Sequence, residues 1–421
     1  MAVTYESLRQ HVDAITLVDT HEHIEPEAAW LAADEGLVDF SRFFMHYASV
    51  DLVSAGMPAT DLERVRSADT PLDDKWALFE PHWEKARNTA YCRAVDMAIR
   101  RLFDLPGLSR DTYRPFAERM RECRKPGYYR WVLKEKANIA VSVLDGGTLE
   151  VDRELFVPAI RFDDLVFVRS RADLKARESQ CCVSIHSPYD LVNALEAEFQ
   201  RNREGGMACV KSGLAYERTL AYANPSEAEA CRAFEVAVHS EEPAAFDQVK
   251  PLQDYVFHRL VQLCVEHDVP MQIHTGLQEG NGNYLEWTNP LHLTELLMTY
   301  PGGRFDLFHA GYPYWRELAA LAKMFPGVHA DLCWTNIITA IGSRRALSEW
   351  LELIPASKIF AFGGDYLFVE GVVAHAEMAR ENVARVLAQK VEDNYLSHDD
   401  AARIATMVLR DNARSFFRLE C

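Results

Sequence analysis

Residues 15–23 read Ile15-Thr16-Leu17-Val18-Asp19-Thr20-His21-Glu22-His23, an apolar run that ends in two histidines separated by one residue. On a β-strand successive side chains point to opposite faces, so His21 and His23 share a face. A strand buried on both faces is typical of a parallel barrel, whose strands end at the face that carries the active site. The stretch therefore predicts a first barrel strand with half of a metal site at its end. Two histidines on an exposed strand end would give the same spacing.

Length and charge limit the class of protein. The chain has 421 residues, of which 48% are hydrophobic, and a formal charge of −18. This length allows one large core, and α/β barrels often exceed the usual size of a single domain. A nucleic acid or an anionic membrane needs a basic face on its partner, so the charge argues against both. These values favour small-molecule chemistry.

The amino terminus and the cysteines indicate a cytoplasmic protein. The first ten residues have neither a basic segment nor a long apolar one, and no later stretch approaches the roughly 20 apolar residues of a membrane span. The nine cysteines are odd in number and show no Cys-x-x-Cys spacing. This pattern predicts reduced core thiols, not a disulfide framework or a zinc ribbon.

From residue 137 onward, short strand-like runs alternate with helical segments, the pattern of βα units around a parallel sheet. With the first strand there are eight candidates, which predicts a single (β/α)8 TIM barrel over residues 1–421. The later strands are predicted at 139–144, 156–160, 207–211, 270–274, 305–309, 328–332 and 359–363. Helices are predicted at 225–239, 251–267, 290–299, 315–324, 343–353, 372–389 and 398–417.

Residues 27–136 have helical spacing and many aromatic side chains, which predicts a mostly helical insertion after the first strand. A loop that leaves the carboxyl end of a barrel strand lies over the active-site mouth. We therefore expect this insertion to be a lid or an oligomer arm, not an independent domain. The turn-rich run at 279–283 is a candidate mobile substrate loop.

Polar residues end several of the predicted strands, where their side chains would converge above the barrel. Along the last strand, Asp365 shares parity with Ala361 and Gly363, so its carboxylate is expected to point inward while Phe360 and Phe362 face the helices. The strand-end residues are His21 and His23 on the first strand, Lys211 on the fourth, His274 on the fifth, His309 on the sixth and Asp365 after the eighth.

These residues resemble the signature of the amidohydrolase superfamily, metal-dependent (β/α)8 enzymes. Its marks are a first-strand His-x-His, a fourth-strand Lys or Glu, histidines on strands five and six, and an eighth-strand Asp, and all five occur here in order. The likeness is greatest over residues 206–371, to the branch of uronate isomerases and nodulin-related amidohydrolase domains. It rests on residues 210–216 (VKSGLAY), 272–276 (QIHTG), 289–293 (NPLHL) and 309–313 (HAGYP).

The resemblance implies one divalent metal held by His21, His23, His274 and Asp365. Imidazoles and a carboxylate suit Zn²⁺, Mn²⁺ or Fe²⁺, and zinc is the first choice. Asp365 would also act as general base and then as acid toward the leaving group. His274 alone would be interpreted as a core histidine, but within the ordered set it is interpreted as a ligand.

Two further residues have alternative roles in the superfamily. In binuclear members a lysine at the position of Lys211 is carboxylated and bridges two metals, whereas mononuclear members often use that position for the substrate. A buried ammonium needs a partner or an anion. Because the likeness is to the mononuclear branch, we favour an anion-binding Lys211 and keep a second metal as the alternative. His309 would polarise a substrate carbonyl, bind a second metal or orient a ligand.

Candidate specificity residues follow other strands. Arg161, after the third strand, and Arg344, after the seventh, are candidates to clamp a substrate carboxylate. Trp287 and Trp334, in the loops after strands five and seven, would form an aromatic wall. Surface pairing of Arg344 and core packing of the two tryptophans are the alternatives.

The leading hypothesis is a metal-dependent hydrolase that cleaves a C–N or ester bond of a small carboxylated substrate with metal-bound hydroxide. The alternatives are a uronate-type aldose–ketose isomerase, a non-oxidative decarboxylase and a non-catalytic barrel scaffold. Isomerisation is disfavoured because the chain reads Gly363-Gly364-Asp365-Tyr366 where uronate isomerases usually have Asp-Ser-Arg. We expect a small anionic partner and, from the aromatic insertion, a homo-oligomer.

Overall fold

Eight parallel strands form the centre of the fold, in the order in which they occur along the chain. The computed structural model describes residues 2–420. Each neighbouring pair of strands is parallel. The strands are β1 (Leu17–Glu22), β2 (Ile139–Leu144), β3 (Phe156–Arg161), β4 (Cys209–Ser212), β5 (Met271–Ile273), β6 (Phe305–Leu307), β7 (Val328–Asp331) and β8 (Ile359–Phe360).

Backbone hydrogen bonds join β1 to the segment that follows β8. The N–H of Thr20 donates to the carbonyl of Phe362 at 3.2 Å, and the N–H of Asp365 donates to the carbonyl of His21 at 2.8 Å. The sheet therefore closes on itself, and the predicted (β/α)8 barrel is confirmed.

Helices fill the connections between the strands. Before β2 they are α1 (Ala2–Ala14), α2 (Glu27–Ala32), α3 (Ala48–Ser54), α4 (Ala59–Val65), α5 (Leu72–Ala86), α6 (Ala90–Phe103), α7 (Tyr113–Cys123) and α8 (Tyr128–Arg130). Between β3 and β6 they are α9 (Asp163–Val166), α10 (Arg171–Cys181), α11 (Pro188–Glu204), α12 (Glu227–His239), α13 (Phe246–Glu266) and α14 (Thr294–Thr299). The last helices are α15 (Trp315–Met324), α16 (Thr335–Ile338), α17 (Ala340–Leu353), α18 (Glu370–Glu392), α19 (His398–Thr406) and α20 (Asn412–Phe417).

Short 3-10 and π segments complete the helical parts of the chain. Two are π-helical, at Trp131–Lys136 and Met407–Asp411. The 3-10 segments are Glu35–Leu37, Phe40–Phe44, Leu214–Tyr216, Leu285–Thr288, Pro290–Leu293, His309–Gly311 and Ala356–Lys358.

Several strands are shorter than the sequence predicts, which changes where the site residues lie. β5 ends one residue before His274, β6 ends two residues before His309, and β8 ends at Phe360. These site residues therefore lie in the segments that follow the strands. Such segments lie at the catalytic face of a parallel barrel.

Helices α2–α7 lie between β1 and β2 and have an aromatic core of their own. Phe40, Phe44, Phe79 and Trp83 are all buried and pack edge to face, tilted or stacked, with ring centroids 4.6–5.6 Å apart. Arg42 of this region donates to the buried carboxylate of Glu370 at the start of α18, which attaches the helices to the barrel. A lid or oligomer-arm role for residues 27–136 stays a prediction.

The fold also bears on the expected absence of a membrane span and on the state of the cysteines. Within residues 2–420, no helix is both long enough and apolar enough to cross a lipid bilayer. The cysteines in the same range are all free thiols, most of them buried.

Candidate active site at the barrel mouth

Four imidazoles and one carboxylate converge at the carboxyl ends of the strands. His21 and His23 form the first imidazole pair, with their Nε2 atoms 3.2 Å apart. His274 and His309 form the second imidazole pair, in which Nδ1 of His274 lies 3.1 Å from Nε2 of His309. Asp365 lies between the pairs, with Oδ1 3.2 Å from Nε2 of His23 and Oδ2 3.7 Å from Nε2 of His309.

In the first imidazole pair, the Nδ1 atoms point away from the partner ring, and their neighbours show where the imidazole protons lie. Nδ1 of His21 lies 3.1 Å from Oε1 of Gln272, whose amide nitrogen donates to the carbonyl of Thr20. Nδ1 of His23 lies 3.2 Å from the backbone carbonyl of Asp145. Because both neighbours accept hydrogen bonds, both protons are assigned to Nδ1. The lone pairs on the two Nε2 atoms therefore face each other.

In the second imidazole pair, too, the protons lie on the nitrogens that point away from the partner ring. Nδ1 of His309 donates to the carbonyl of Cys333 at 3.1 Å, and Nε2 of His274 donates to the carbonyl of Leu277 at 2.9 Å. The inner nitrogens, 3.1 Å apart, then both present lone pairs. Two lone pairs at this separation repel each other, which a cation between them would relieve.

Burial sets the charge of these groups. It lowers the pKa of His21 and His274 well below the ordinary value, and it lowers the pKa of His309 to about 4. Burial alone would raise the pKa of Asp365, but the adjacent imidazoles of His23, His309 and His21 hold that pKa well below its ordinary value. These pKa directions make the imidazoles of His21, His274 and His309 neutral and the carboxylate of Asp365 ionised at neutral pH.

This donor set fits a divalent transition metal. Neutral imidazole nitrogens and a carboxylate oxygen are ligands that zinc, manganese and iron accept. His21, His23 and Asp365 would hold the ion. Oδ2 of Asp145 lies 3.8 Å from Nε2 of His21 and 3.7 Å from Nδ1 of His23, a further carboxylate beside the first pair. His274, predicted with that group, lies instead against His309, so the number and identity of the ions stay predictions.

Two cationic side chains border the predicted metal ligands. Nζ of Lys211 lies 3.0 Å from Nε2 of His21 and is almost fully buried. Nε of Arg161 donates to Oδ2 of Asp145 at 2.6 Å. Burial and the neighbouring guanidinium of Arg161 lower the pKa of Lys211, which favours either pairing with an anion or carboxylation. Both roles stay predictions.

Left-handed backbone conformations orient residues after the last three strands. His309, Trp334 and Asp365 have φ values of 62°, 62° and 60°. Residues other than glycine rarely adopt this region, and such strain clusters at functional sites. Strand alternation, which predicts an inward-pointing Asp365, does not apply because β8 stops at Phe360. The local backbone turn and the bond to the carbonyl of His21 place its carboxylate instead.

Buried carboxyl groups lie next to the site. Oδ1 of Asp19 accepts hydrogen bonds from the N–H groups of His21 and Gly364, at 3.2 and 2.9 Å. Burial raises the pKa of Asp19 to about 6, and burial with the charge of Asp19 raises that of Glu22 well above its ordinary value. A Cβ at Gly364 would lie 1.7 Å from Oε1 of Glu22, so a larger residue before Asp365 would require this buried carboxyl group to move.

A cavity of about 810 Å³ opens above these residues. Most of its lining is polar, and two lining residues, His46 and Tyr47, come from the helical region between β1 and β2. Tyr216 and Glu279 line another side, where the N–H of Glu279 donates to the hydroxyl of Tyr216 at 3.0 Å. Segments distant in sequence thus enclose one polar space next to Asp365.

The predicted specificity residues divide between the cavity and its surroundings. Arg161 lines the cavity, whereas Trp287, Trp334 and Arg344 are not among the described residues that line it. Trp334 is buried and stacks on Tyr47, with ring centroids 4.2 Å apart. Trp287 stacks on Tyr284, and Arg344 lies on α17. Trp334 therefore packs behind the site, and its predicted substrate contact stays a prediction, as do those of Trp287 and Arg344.

Sequence reasoning missed three residues of the site. Asp145 directly follows β2, so the strand-end rule that selected His274 also applies to it. Gln272 has the same parity as His274 and carries a polar side chain inside a buried strand, which was a usable signal. Tyr47 had no such signal, because only the tertiary fold brings it over the barrel.

Replacing Gln272 by leucine is expected to weaken Zn²⁺ or Mn²⁺ binding about 10–100-fold, the usual cost of removing an outer-shell partner of a ligand. The leucine cannot accept the Nδ1 proton of His21, so the imidazole loses its fixed orientation. Metal titration of the purified variant measures this effect. Gln262→Leu, on the exposed side of α13, is the matched control. Unchanged affinity in Gln272→Leu would contradict the assigned proton position.

Two comparisons bear on the fold and on the resemblance to a family. Residues 227–419 match the family model described as amidohydrolase. The crystal structure of glucuronate isomerase from Caulobacter crescentus superposes with a TM-score of 0.81, at 16% identity, over 100% of this chain and 94% of that chain. The resemblance to the amidohydrolase superfamily is confirmed. The matched region contains His274, His309 and Asp365, whereas the His-x-His pair of β1 lies outside it.

Two curated proteins align with the chain over different lengths. A uronate isomerase of Rhizobium meliloti is 24% identical, with 98% of this chain and 95% of that protein covered. Protein fluG of Emericella nidulans is 28% identical over 176 residues, which are 40% of this chain and 20% of fluG. The first similarity spans the helical insertion as well as the barrel.

Proposed function

We propose that the chain is an aldose–ketose isomerase that acts on a uronic acid. The observation that carries this proposal is the placement of Arg161 and Lys211 in one polar cavity with Asp365, in a chain that aligns over 98% of its length with a uronate isomerase. Two cations provide a site for a carboxylate, and the adjacent ionised carboxylate provides a base. Similarity along almost the whole chain to the uronate isomerase of Rhizobium meliloti supports the same activity.

A hexuronate fits the chemistry of the cavity. It carries one carboxylate and a row of hydroxyl groups, and the cavity offers Arg161 and Lys211 for the first and Asp145, Tyr47 and Tyr216 for the second. The cavity volume of about 810 Å³ lies in the range that is usual for small-molecule sites.

Isomerisation moves the proton of C2 to C1 and the proton of the C2 hydroxyl to the C1 oxygen. Asp365 supplies an ionised carboxylate that can take the C2 proton and return it to C1. Burial raises the pKa of Tyr47 well above its ordinary value, so its hydroxyl stays protonated and can donate to a substrate oxygen. A divalent ion held by His21, His23 and Asp365 would polarise the two reacting oxygens.

Hydrolysis is the second candidate, and two observations favour it. Gly363-Gly364-Asp365-Tyr366 lacks the arginine that usually follows this aspartate in uronate isomerases, and Nε2 of His309 lies 3.7 Å from Oδ2 of Asp365. The lone pair on that nitrogen can accept a hydrogen bond from a water that attacks an amide or ester. This was the leading hypothesis from the sequence, and it predicts cleavage of a carboxylated amide or ester.

Proton NMR of the metal-loaded protein in D2O with glucuronate tests the proposal. Isomerisation is expected to replace the anomeric proton signals with those of a ketose of unchanged mass apart from solvent deuterium. N-acyl amino acids, esters and aromatic acids are assayed in parallel. Cleavage of one of them into two products, or loss of CO2, with glucuronate unchanged would contradict the proposal.

Replacing Arg161 by glutamine is expected to raise KM for the uronate about tenfold with little change in kcat, because the lost charge-assisted hydrogen bond contributes to ground state and transition state alike. Arg161 is 41% exposed, which moderates the effect. Steady-state kinetics measure it, and Arg161→Lys should recover part of the loss. Arg232→Gln, exposed on α12, is the control. A fall in kcat with unchanged KM would contradict a binding role.

A further inference from the structure

A second polar cavity, of about 370 Å³, lies between α1, α6, α18 and the segment that leads into β2. The η-nitrogens of Arg380, which lines it, donate to the carbonyls of Ile15 and Ala137, just before β1 and β2. The cavity therefore lies near the amino ends of the strands, at the opposite end of the barrel from Asp365. Neither the proposed function nor the comparisons assign it a role.

The charges that line this cavity do not balance. Arg9 pairs with Asp13 through two contacts of 2.9 Å, and Arg101 pairs with Glu377 through two contacts of 2.6 Å. Lys136 also lines the cavity, and its ammonium lies 4.9 Å from the ring centroid of Trp131. Each of these two ion pairs has no net charge, so the positive charges of Lys136 and Arg380 remain in excess.

Arg380 is a buried cation without a carboxylate partner within the described chain. Only 6% of the residue is exposed, and its Nε has no hydrogen-bond partner among the described residues. Among the described residues, its η-nitrogens donate hydrogen bonds only to backbone carbonyls, of Ile15, Ala137 and Asn138. A buried guanidinium is costly unless an opposite charge compensates it. Burial accordingly lowers the pKa of Arg380 to about 10.

We propose that this cavity binds a small molecule that carries a phosphate group. A phosphate monoester has a charge near −2 at neutral pH, which matches the two excess cations of Lys136 and Arg380. Guanidinium and ammonium groups are the usual protein donors to phosphate. The volume of about 370 Å³ exceeds that of a bare phosphate and leaves room for an organic part.

Phosphorus NMR and calorimetric titration with inorganic phosphate test the proposal on the full chain, at constant ionic strength adjusted with sodium chloride. Saturable binding is expected. Lys136→Gln should weaken it about tenfold, the effect of removing one charged hydrogen-bond donor. Lys136 is exposed, and Lys323→Gln on the exposed side of α15 is the matched control that should bind as the wild type does.

Two further titrations test whether phosphate binds at the barrel mouth and whether a carboxylate binds as phosphate does. Phosphate could also occupy the barrel mouth, so Arg161→Gln is titrated in parallel and is expected to leave the affinity unchanged. Loss of binding in that variant, or full binding in Lys136→Gln, would overturn the proposal. Succinate replaces phosphate in the last arm. Succinate binding as tight as phosphate binding, with the same dependence on Lys136, would overturn the assignment to phosphate.

Discussion

Replacing Asp365 by asparagine is expected to lower kcat/KM for uronate isomerisation by about 10³-fold, within the range usual for loss of a general base. The amide has nearly the same shape but no negative charge. It removes the ionised group that lies 3.2 Å from His23 and 3.7 Å from His309, and with it the base that takes the C2 proton. Steady-state assays with glucuronate measure the loss.

The fold must be checked in the same variant, because Asp365 is buried among charged and polar groups. Its backbone bond to the carbonyl of His21 does not depend on the side chain, so the thermal midpoint should stay close to that of the wild type. Asp399→Asn, an exposed position in the first turn of α19, is the matched control and should retain activity. An active Asp365→Asn variant would contradict the assigned base.

Replacing His23 by alanine is expected to weaken metal binding by about 10²–10³-fold. A four-ligand zinc site contributes roughly 10–16 kcal/mol, or about 2.5–4 kcal/mol per ligand, and each 1.4 kcal/mol corresponds to a factor of ten. The variant removes one of the two lone pairs that face each other at 3.2 Å. Equilibrium dialysis against a metal buffer measures the affinity.

The control for this loss is His239→Ala, because His239 is an exposed histidine on α12 that pairs only with Glu235 in the described chain. It should bind metal as the wild type does. If His23→Ala also binds with wild-type affinity, the first imidazole pair is not a metal site. Loss of binding in both variants would instead indicate a nonspecific effect of removing histidines.

The barrel could be predicted because each strand leaves a local signal in the sequence. The predicted bounds of the second strand, 139–144, are those observed for β2, and the eighth strand was found even though only Ile359–Phe360 is regular. The signal did not show where strands end. His309 and Asp365 lie beyond their strands in left-handed conformations, which depend on hydrogen bonds to distant segments.

The composition of the site was only partly accessible from the sequence. The first imidazole pair and Asp365 were selected as strand-end groups, whereas Tyr47 lies over the cavity through the packing of an insertion whose path no local pattern specifies. The sequence also does not distinguish hydrolysis from isomerisation, because both reactions use the same imidazoles and carboxylate. Arg161 and Lys211 lie in the cavity, but a carboxylate-binding site suits substrates of either reaction.

Calorimetric titration of the metal-stripped chain with Zn²⁺ and Mn²⁺ tests most directly whether the barrel mouth is a metal centre. The lone pairs of His21 and His23, facing each other beside Asp365, predict saturable binding of at least one ion per chain. The same titration of His21→Ala should show this binding lost or greatly weakened. A wild-type protein that takes up neither ion, or a His21→Ala variant that binds as the wild type does, would contradict the account.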